Sequence, residues 1–119
     1  MGAYEPKFLY SDAVTATFSA TTTGGQLLAV TGNGTVGPAG AASTSVVGVA
    51  AFDVAANDRG TYFPRGKVHV STASGAITAA ARVDAGAAGT VASAAAALTN
   101  IGIALTTAAD TAAVEWMEI

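Results

Sequence analysis

The chain shows short stretches of strict apolar–polar alternation separated by glycine-rich breaks. Val14-Thr15-Ala16-Thr17-Phe18-Ser19 puts Val14, Ala16 and Phe18 on one side and hydroxyl residues on the other. That is the period of a half-buried strand. Gly24-Gly25 turns the chain into a second strand over 26–31, and Gly32-Asn33-Gly34 carries an Asn-Gly pair suited to a hairpin turn. Thr35-Val36 continues briefly. Gly37-Pro38-Ala39-Gly40 reads as a loop, because Pro38 has no N–H for a central ladder. Ser45 to Phe52 is a nearly continuous apolar run, as expected of a strand buried on both faces. Gly48 at its centre marks a close backbone approach or a bulge. Asn57-Asp58-Arg59-Gly60 reads as a turn, and Thr61-Tyr62-Phe63 as a strand stopped by Pro64. Further strands are predicted over 67–71, 80–83, 90–91, 100–105 and 113–117. The alanine-rich Ser93–Leu98 has high helix propensity, and is compatible with one short helix capped by Ser93.

These elements repeat. Val47-Gly48-Val49-Ala50 returns as Ile101-Gly102-Ile103-Ala104, 54 positions on, and Gly34-Thr35-Val36 returns as Gly89-Thr90-Val91, 55 positions on. Val14-Thr15-Ala16-Thr17 aligns with Val68-His69-Val70-Ser71, and Ala55-Ala56-Asn57-Asp58 with Ala108-Ala109-Asp110. The chain therefore divides into an N-terminal arm (1–12) and a single β domain (13–119) made of two similar halves (13–66 and 67–119). Two copies are too few for a solenoid; two copies closing on each other are expected. The expected fold is all-β: a compact sandwich or barrel of about eight short strands from two similar halves, with at most one short helix near Ser93–Leu98.

Composition narrows the function classes. The 119 residues make one ordinary domain. No cysteine is present, which removes disulfides and thiolate chemistry. Charged residues are 11% and the net charge is −3. Of the five basic residues, Arg59, Arg65 and Lys67 lie close together in sequence; a nucleic-acid binder needs a broader basic stripe. No apolar run reaches the roughly 20 residues of a bilayer span. Met1-Gly2-Ala3-Tyr4-Glu5-Pro6-Lys7 lacks the basic leader and apolar core of a signal peptide, so synthesis in the cytoplasm is expected.

The polar inventory for catalysis is thin. His69 is the one histidine, and alternation sets it opposite Val68 and Val70, facing solvent or an interface. Asp53, Asp58 and Asp110 fall at strand ends and turns, where aspartate serves local backbone bonding, and Asp58 and Asp110 take matching places in the two halves. Gly32-Asn33-Gly34 lacks the full spacing and the Lys-Ser/Thr of a phosphate loop. No catalytic, cofactor-binding or metal-ligating set is assigned, no cofactor is expected, and an enzyme is not expected. Trp116 and Val114 share a strand face and read as core. Tyr4, Pro6, Phe8 and Tyr10 place alternating aromatics in the arm, as a first strand or as an extended segment that docks on a partner.

As an ordered set, Gly24-Gly25-Gln26-Leu27-Leu28-Ala29-Val30-Thr31-Gly32, Val46-Val47-Gly48-Val49-Ala50-Ala51-Phe52-Asp53, Gly75-Ala76-Ile77-Thr78 and Ile101-Gly102-Ile103-Ala104-Leu105-Thr106-Thr107-Ala108-Ala109-Asp110 resemble the small capsid decoration (cement, head-stabilising) proteins of tailed bacteriophages. The resemblance covers most of 13–119. It implies a virion structural protein on the outer capsid surface that stabilises the shell by bridging major capsid subunits. The implied partners are the major capsid protein and the chain itself, as a homotrimer, with neither nucleic acid nor membrane. The candidate capsid or subunit contacts are Tyr4, Pro6, Phe8, Tyr10, Arg59, Arg65 and Lys67. A surface-exposed carbohydrate-binding or adhesin-like β module is the alternative.

Overall fold

The computed structural model describes residues 13–94 and 101–119. The arm residues Tyr4, Pro6, Phe8 and Tyr10, and most of the expected helix at Ser93–Leu98, lie outside them. Ten strands are present among the described residues, two more than expected: β1 (Val14–Phe18), β2 (Leu27–Gly32), β3 (Thr35–Pro38), β4 (Val46–Ala50), β5 (Arg59–Pro64), β6 (Val68–Thr72), β7 (Arg82–Ala85), β8 (Val91–Ser93), β9 (Gly102–Ala104) and β10 (Ala113–Glu118). Ser93 ends β8. The one short helical element described is a 3-10 turn at Ala87–Gly89. Pro38 also departs from expectation: it ends β3 opposite Leu28, a strand end where its missing N–H costs little.

The first five strands close into a barrel in the order β1-β3-β2-β4-β5. The last five form a sheet in the order β6-β10-β9-β7-β8. The same neighbours occur in both. In the barrel, β1 closes on β3 through a parallel pairing, Thr17 with Thr35 and Phe18 with Val36. In the sheet, the corresponding closure is a single parallel bridge, Ala73 with Val91. Loop hydrogen bonds recur as well. The Thr22 N–H donates to the Val54 carbonyl (2.9 Å), and the Ile77 N–H to the Ala108 carbonyl (2.8 Å). The Gly24 N–H donates to Asp53 Oδ1, and the Ala79 N–H to Thr107 Oγ1.

These pairings correct two sequence alignments. Leu28 opposes Gly48, and Val83 opposes Gly102, so early strands correspond at an offset of 55 and late ones at 54. Val14 opposes Tyr62, while His69 opposes Trp116. Val14 thus corresponds to His69, not to Val68, and the slip of one residue exchanges the two faces of the strand. Likewise the left-handed Asn57 (φ 70°) corresponds to Thr111 (φ 66°), so Asp58 and Asp110 are not equivalent. Asp110 instead accepts from the Gly75 N–H (2.8 Å), 35 residues earlier in the chain, so it ties two distant turns together rather than bonding locally.

Gly48 and Gly102 hold equivalent places for one reason. A Cβ at Gly48 would collide with the Phe63 carbonyl oxygen and the Tyr62 ring. One at Gly102 would collide with the Met117 carbonyl oxygen and the Trp116 ring. The core has two parts. Phe18, Leu28, Val36, Ala50 and Val54 fill the barrel. The larger cluster joins Leu27, Ala29, Val46 and Val49 from the barrel's outer side to Ile77, Val83, Val91, Val114 and Trp116 of the second half. Burying one large side chain of this kind contributes roughly 2–3 kcal/mol, so the shared cluster binds the halves into one unit.

Candidate functional site

The polar and aromatic side chains gather where β5 passes into β6 beside the end of β10. The cause is the alternation of β10, which buries Val114, Trp116 and Glu118 and exposes the residues between them. Residues opposed across an antiparallel ladder share a face. His69 opposes Trp116 and Ser71 opposes Val114, so both turn inward. His69 is 7% exposed, whereas Val68 and Val70 are 54% and 59% exposed. The alternation was read correctly, but His69 is interior and the valines face outward, the reverse of the expected orientation.

Inside, His69 Nε2 donates to Glu118 Oε1 at 3.2 Å. The His69 ring packs 5.4 Å from the Trp116 ring and 6.5 Å from that of Phe63, centroid to centroid. Trp116 Nε1 donates to Ser71 Oγ (3.0 Å), which donates to the Gly25 carbonyl (2.8 Å). This relay carries a hydrogen-bonded chain from β10 through β6 to the barrel. Glu118 Oε2 is buried and has no hydrogen-bond partner. Arg65 Nε stands 3.7 Å from it, beyond hydrogen-bond reach, so Arg65 compensates this oxygen by charge alone. The Arg65 guanidinium also donates twice to the Ile119 carbonyl, from Nε (2.9 Å) and an Nη (2.7 Å). The arrangement pins the end of β10 to the β5–β6 link.

Of the expected contact residues, Arg65 and Lys67 flank this cluster. Arg65 is exposed and Lys67 half-buried. Arg59 opens β5, opposite Thr17 and at the far end of the strand, some six residues or about 18 Å away. The three basic residues therefore form no single patch. Sequence reasoning missed Glu118, although the stripe Val114, Trp116, Glu118 was available in the sequence to mark it as inward-facing. Among the described residues, no three metal-ligating side chains converge.

A recess of about 340 Å³ adjoins the cluster, lined by Gly25, Val49, Ala50, Phe63 and the stretch 67–70. A second, of about 320 Å³, shares Gly25 and Val70 with the first and is lined further by Thr23, Gln26, Ser71, Thr72 and Thr90. Tyr62 is half-buried in the barrel, and burial raises its phenol above the ordinary value of 10.0.

No protein-family model matches the chain, and no curated protein matches it. A solved structure does: the N base of head fiber gp8.5 in bacteriophage phi29, at 20% identity and a TM-score of 0.74, over 90% of this chain and 92% of that one. At that identity the likeness concerns the fold alone, which the two chains share over nearly their whole lengths.

Proposed function

We propose that this chain is a structural virion protein of a bacteriophage that binds the outer surface of the capsid and stabilises it by bridging major capsid subunits. The observation that supports this reading best is the likeness to the head fiber N base, which runs nearly end to end in both chains. It fits the low charge content, 11%, because a protein packed against neighbours needs little charged surface. It also fits the site. The buried His69–Glu118 pair holds strands together behind Trp116 and Phe63, a structural rather than catalytic role, and the protein acts without cofactor. Many modest contacts from identical copies sum to a strong restraint on the shell. The resemblance to capsid decoration proteins suggests a homotrimer, closed by cyclic symmetry as oligomers of identical chains usually are.

The test is to mix the purified protein with undecorated capsids and follow binding by sedimentation. Saturable, stoichiometric binding that raises the temperature at which the capsids open is the expected result. Saturable glycan binding with no attachment to any capsid would overturn the reading in favour of a carbohydrate-binding module.

A further inference from the structure

The two halves meet where a turn of the first enters a cleft of the second, and each half carries both parts. The turn of the first half is 23–26: the Gln26 N–H donates to the Thr23 carbonyl (3.1 Å) and the Gly25 N–H to the Ala50 carbonyl (2.9 Å). The second half repeats it at 78–81, with Ala81 donating to Thr78 (3.0 Å) and Ala80 to Ala104 (2.8 Å). Gly25 and Ala80 share a left-handed backbone, φ 90° and 74°. The cleft lies between the first and third strands of each half, ahead of their parallel closure. In the second half Val70, Ser71, Gly89 and Thr90 border it, and the 23–26 turn lies against it. There Ser71 Oγ donates to the Gly25 carbonyl, and Gln26 Nε2 to the Ala88 carbonyl (3.1 Å).

In the first half the corresponding Thr15, Ala16, Gly34 and Thr35 border a cleft of about 220 Å³, and the described residues around it all belong to that half. Val30 on its rim is 52% exposed. At the other end of the molecule, Thr78, Ala79 and Ala80 of the second turn are exposed. One chain thus presents an open cleft and an exposed turn whose counterparts, inside the same chain, already fit each other.

We propose that copies of this chain associate head to tail, the 78–81 turn of one copy entering the cleft between β1 and β3 of the next. The partner is a second copy because the contact continues one that already joins the two halves. A contact between two different patches propagates from copy to copy and closes into a ring where the rotation allows. The interface rests on the homo-oligomer reading above and not on capsid binding. It is weaker than the contact within the chain. Ala16 stands where Ser71 supplies a hydroxyl, and Ala81 where Gln26 supplies an amide. A Cβ at Gly25 would stand 3.1 Å from the Val70 carbonyl oxygen, so the Ala80 methyl requires a small shift of the strand it meets.

Sedimentation velocity over a dilution series, with no capsid present, tests the interface. The parent is expected to pass from oligomer to monomer on dilution. Ala80→Asp keeps a residue that tolerates the left-handed backbone and puts a charge into the contact, so it should be monomeric. Thr15→Glu, at the lip of the cleft, should be monomeric too. An equal mixture of these two variants should give a dimer and nothing larger, because only one intact turn meets one intact cleft. Ala16→Ser with Ala80→Gly restores the chemistry of the contact within the chain and should lower the dissociation constant about tenfold. A parent and a restored variant that both stay monomeric overturn the proposal. So does an oligomer that Ala80→Asp and Thr15→Glu leave unchanged. Either failure faults the self-association and leaves the capsid reading standing.

Discussion

The barrel and the second sheet share one ladder of strands and fill it differently. In the barrel, Phe18 and Tyr62 occupy the interior. At the corresponding places in the sheet stand Ala73 and Trp116, both buried. One half places a ring at both positions, and the other sets an alanine beside the larger ring of a tryptophan. A close-packed interior requires such compensation, since neither a void nor an extra ring is tolerated. The second contrast is polar. Val14 and Pro64 of the barrel correspond to His69 and Glu118 of the sheet, so an apolar pair in one half is a buried hydrogen-bonded pair in the other. The third lies outside. The barrel's outer face carries Thr15, Thr17 and Thr61, where the sheet has Val70, Thr72 and Glu115. The two halves share a strand ladder and differ in side chains, and the second half holds both the buried polar pair and the exposed Val68, Val70 and Met117.

Each contrast can be broken. The largest effect is expected at Trp116. Trp116→Ala should cost about 4 kcal/mol in denaturant unfolding, against about 2 for Tyr62→Ala, because only the tryptophan is fully buried. Ala73→Phe should also destabilise, and adding Trp116→Tyr should recover part of that loss, a coupling that a double-mutant cycle reads directly. If the two changes simply add, the size compensation is not real.

Next comes the buried pair. His69→Val leaves Glu118 buried beside an apolar neighbour, with an expected loss of about 3 kcal/mol. Restoring the barrel's chemistry with His69→Val and Glu118→Leu together should bring stability back to within about 1 kcal/mol of the parent. Thermal unfolding of the two variants side by side decides this; a double variant worse than the single would refute it.

Gly48→Ala and Gly102→Ala should each cost about 2 kcal/mol, and by similar amounts, since both force a Cβ into the neighbouring strand. Because the larger core cluster spans both halves, each should lower one common transition rather than split it into two. Calorimetry showing separate melting of the halves would contradict that coupling.

The smallest effects concern the surface and the alkaline limb. Arg65→Ala removes the clasp on the Ile119 carbonyl and the charge facing buried Glu118 Oε2; because the guanidinium is largely solvent-screened, the cost should be about 1 kcal/mol. For Tyr62, the folded state holds its proton above the ordinary 10.0, where the unfolded chain has begun to release it. Stability therefore falls as pH rises past that value. Tyr62→Phe should flatten that fall, as measured by unfolding between neutral and strongly alkaline pH.

Much of the fold was legible because small-residue β proteins advertise their breaks. Gly34 and Gly89 share a positive φ of 76°, and their matching positions were visible as a repeat. Gly48 is expected at a close approach or a bulge, and both occur there: the Phe63 carbonyl and the Tyr62 ring crowd it, and the β2–β4 register shifts beside it. The site was less legible. Arg65 and Lys67 do lie at the junction, but what joins them there is Glu118, at the other end of the sequence. Arg59 is near them only along the chain. Alternation sets His69 opposite Val68 and Val70, but it does not say which of the two sets is inside.

The sequence by itself determined the strands, the turns and the near-constant spacing of two similar halves, because period-2 alternation and glycine breaks are local properties. It did not determine which side of β6 is inside. Alternation is symmetric between faces, so a strand reading Val-His-Val can bury either set. The tertiary register resolved it: Trp116 must be buried, His69 stands opposite Trp116, and the pair turns in together with Glu118, leaving the valines outside.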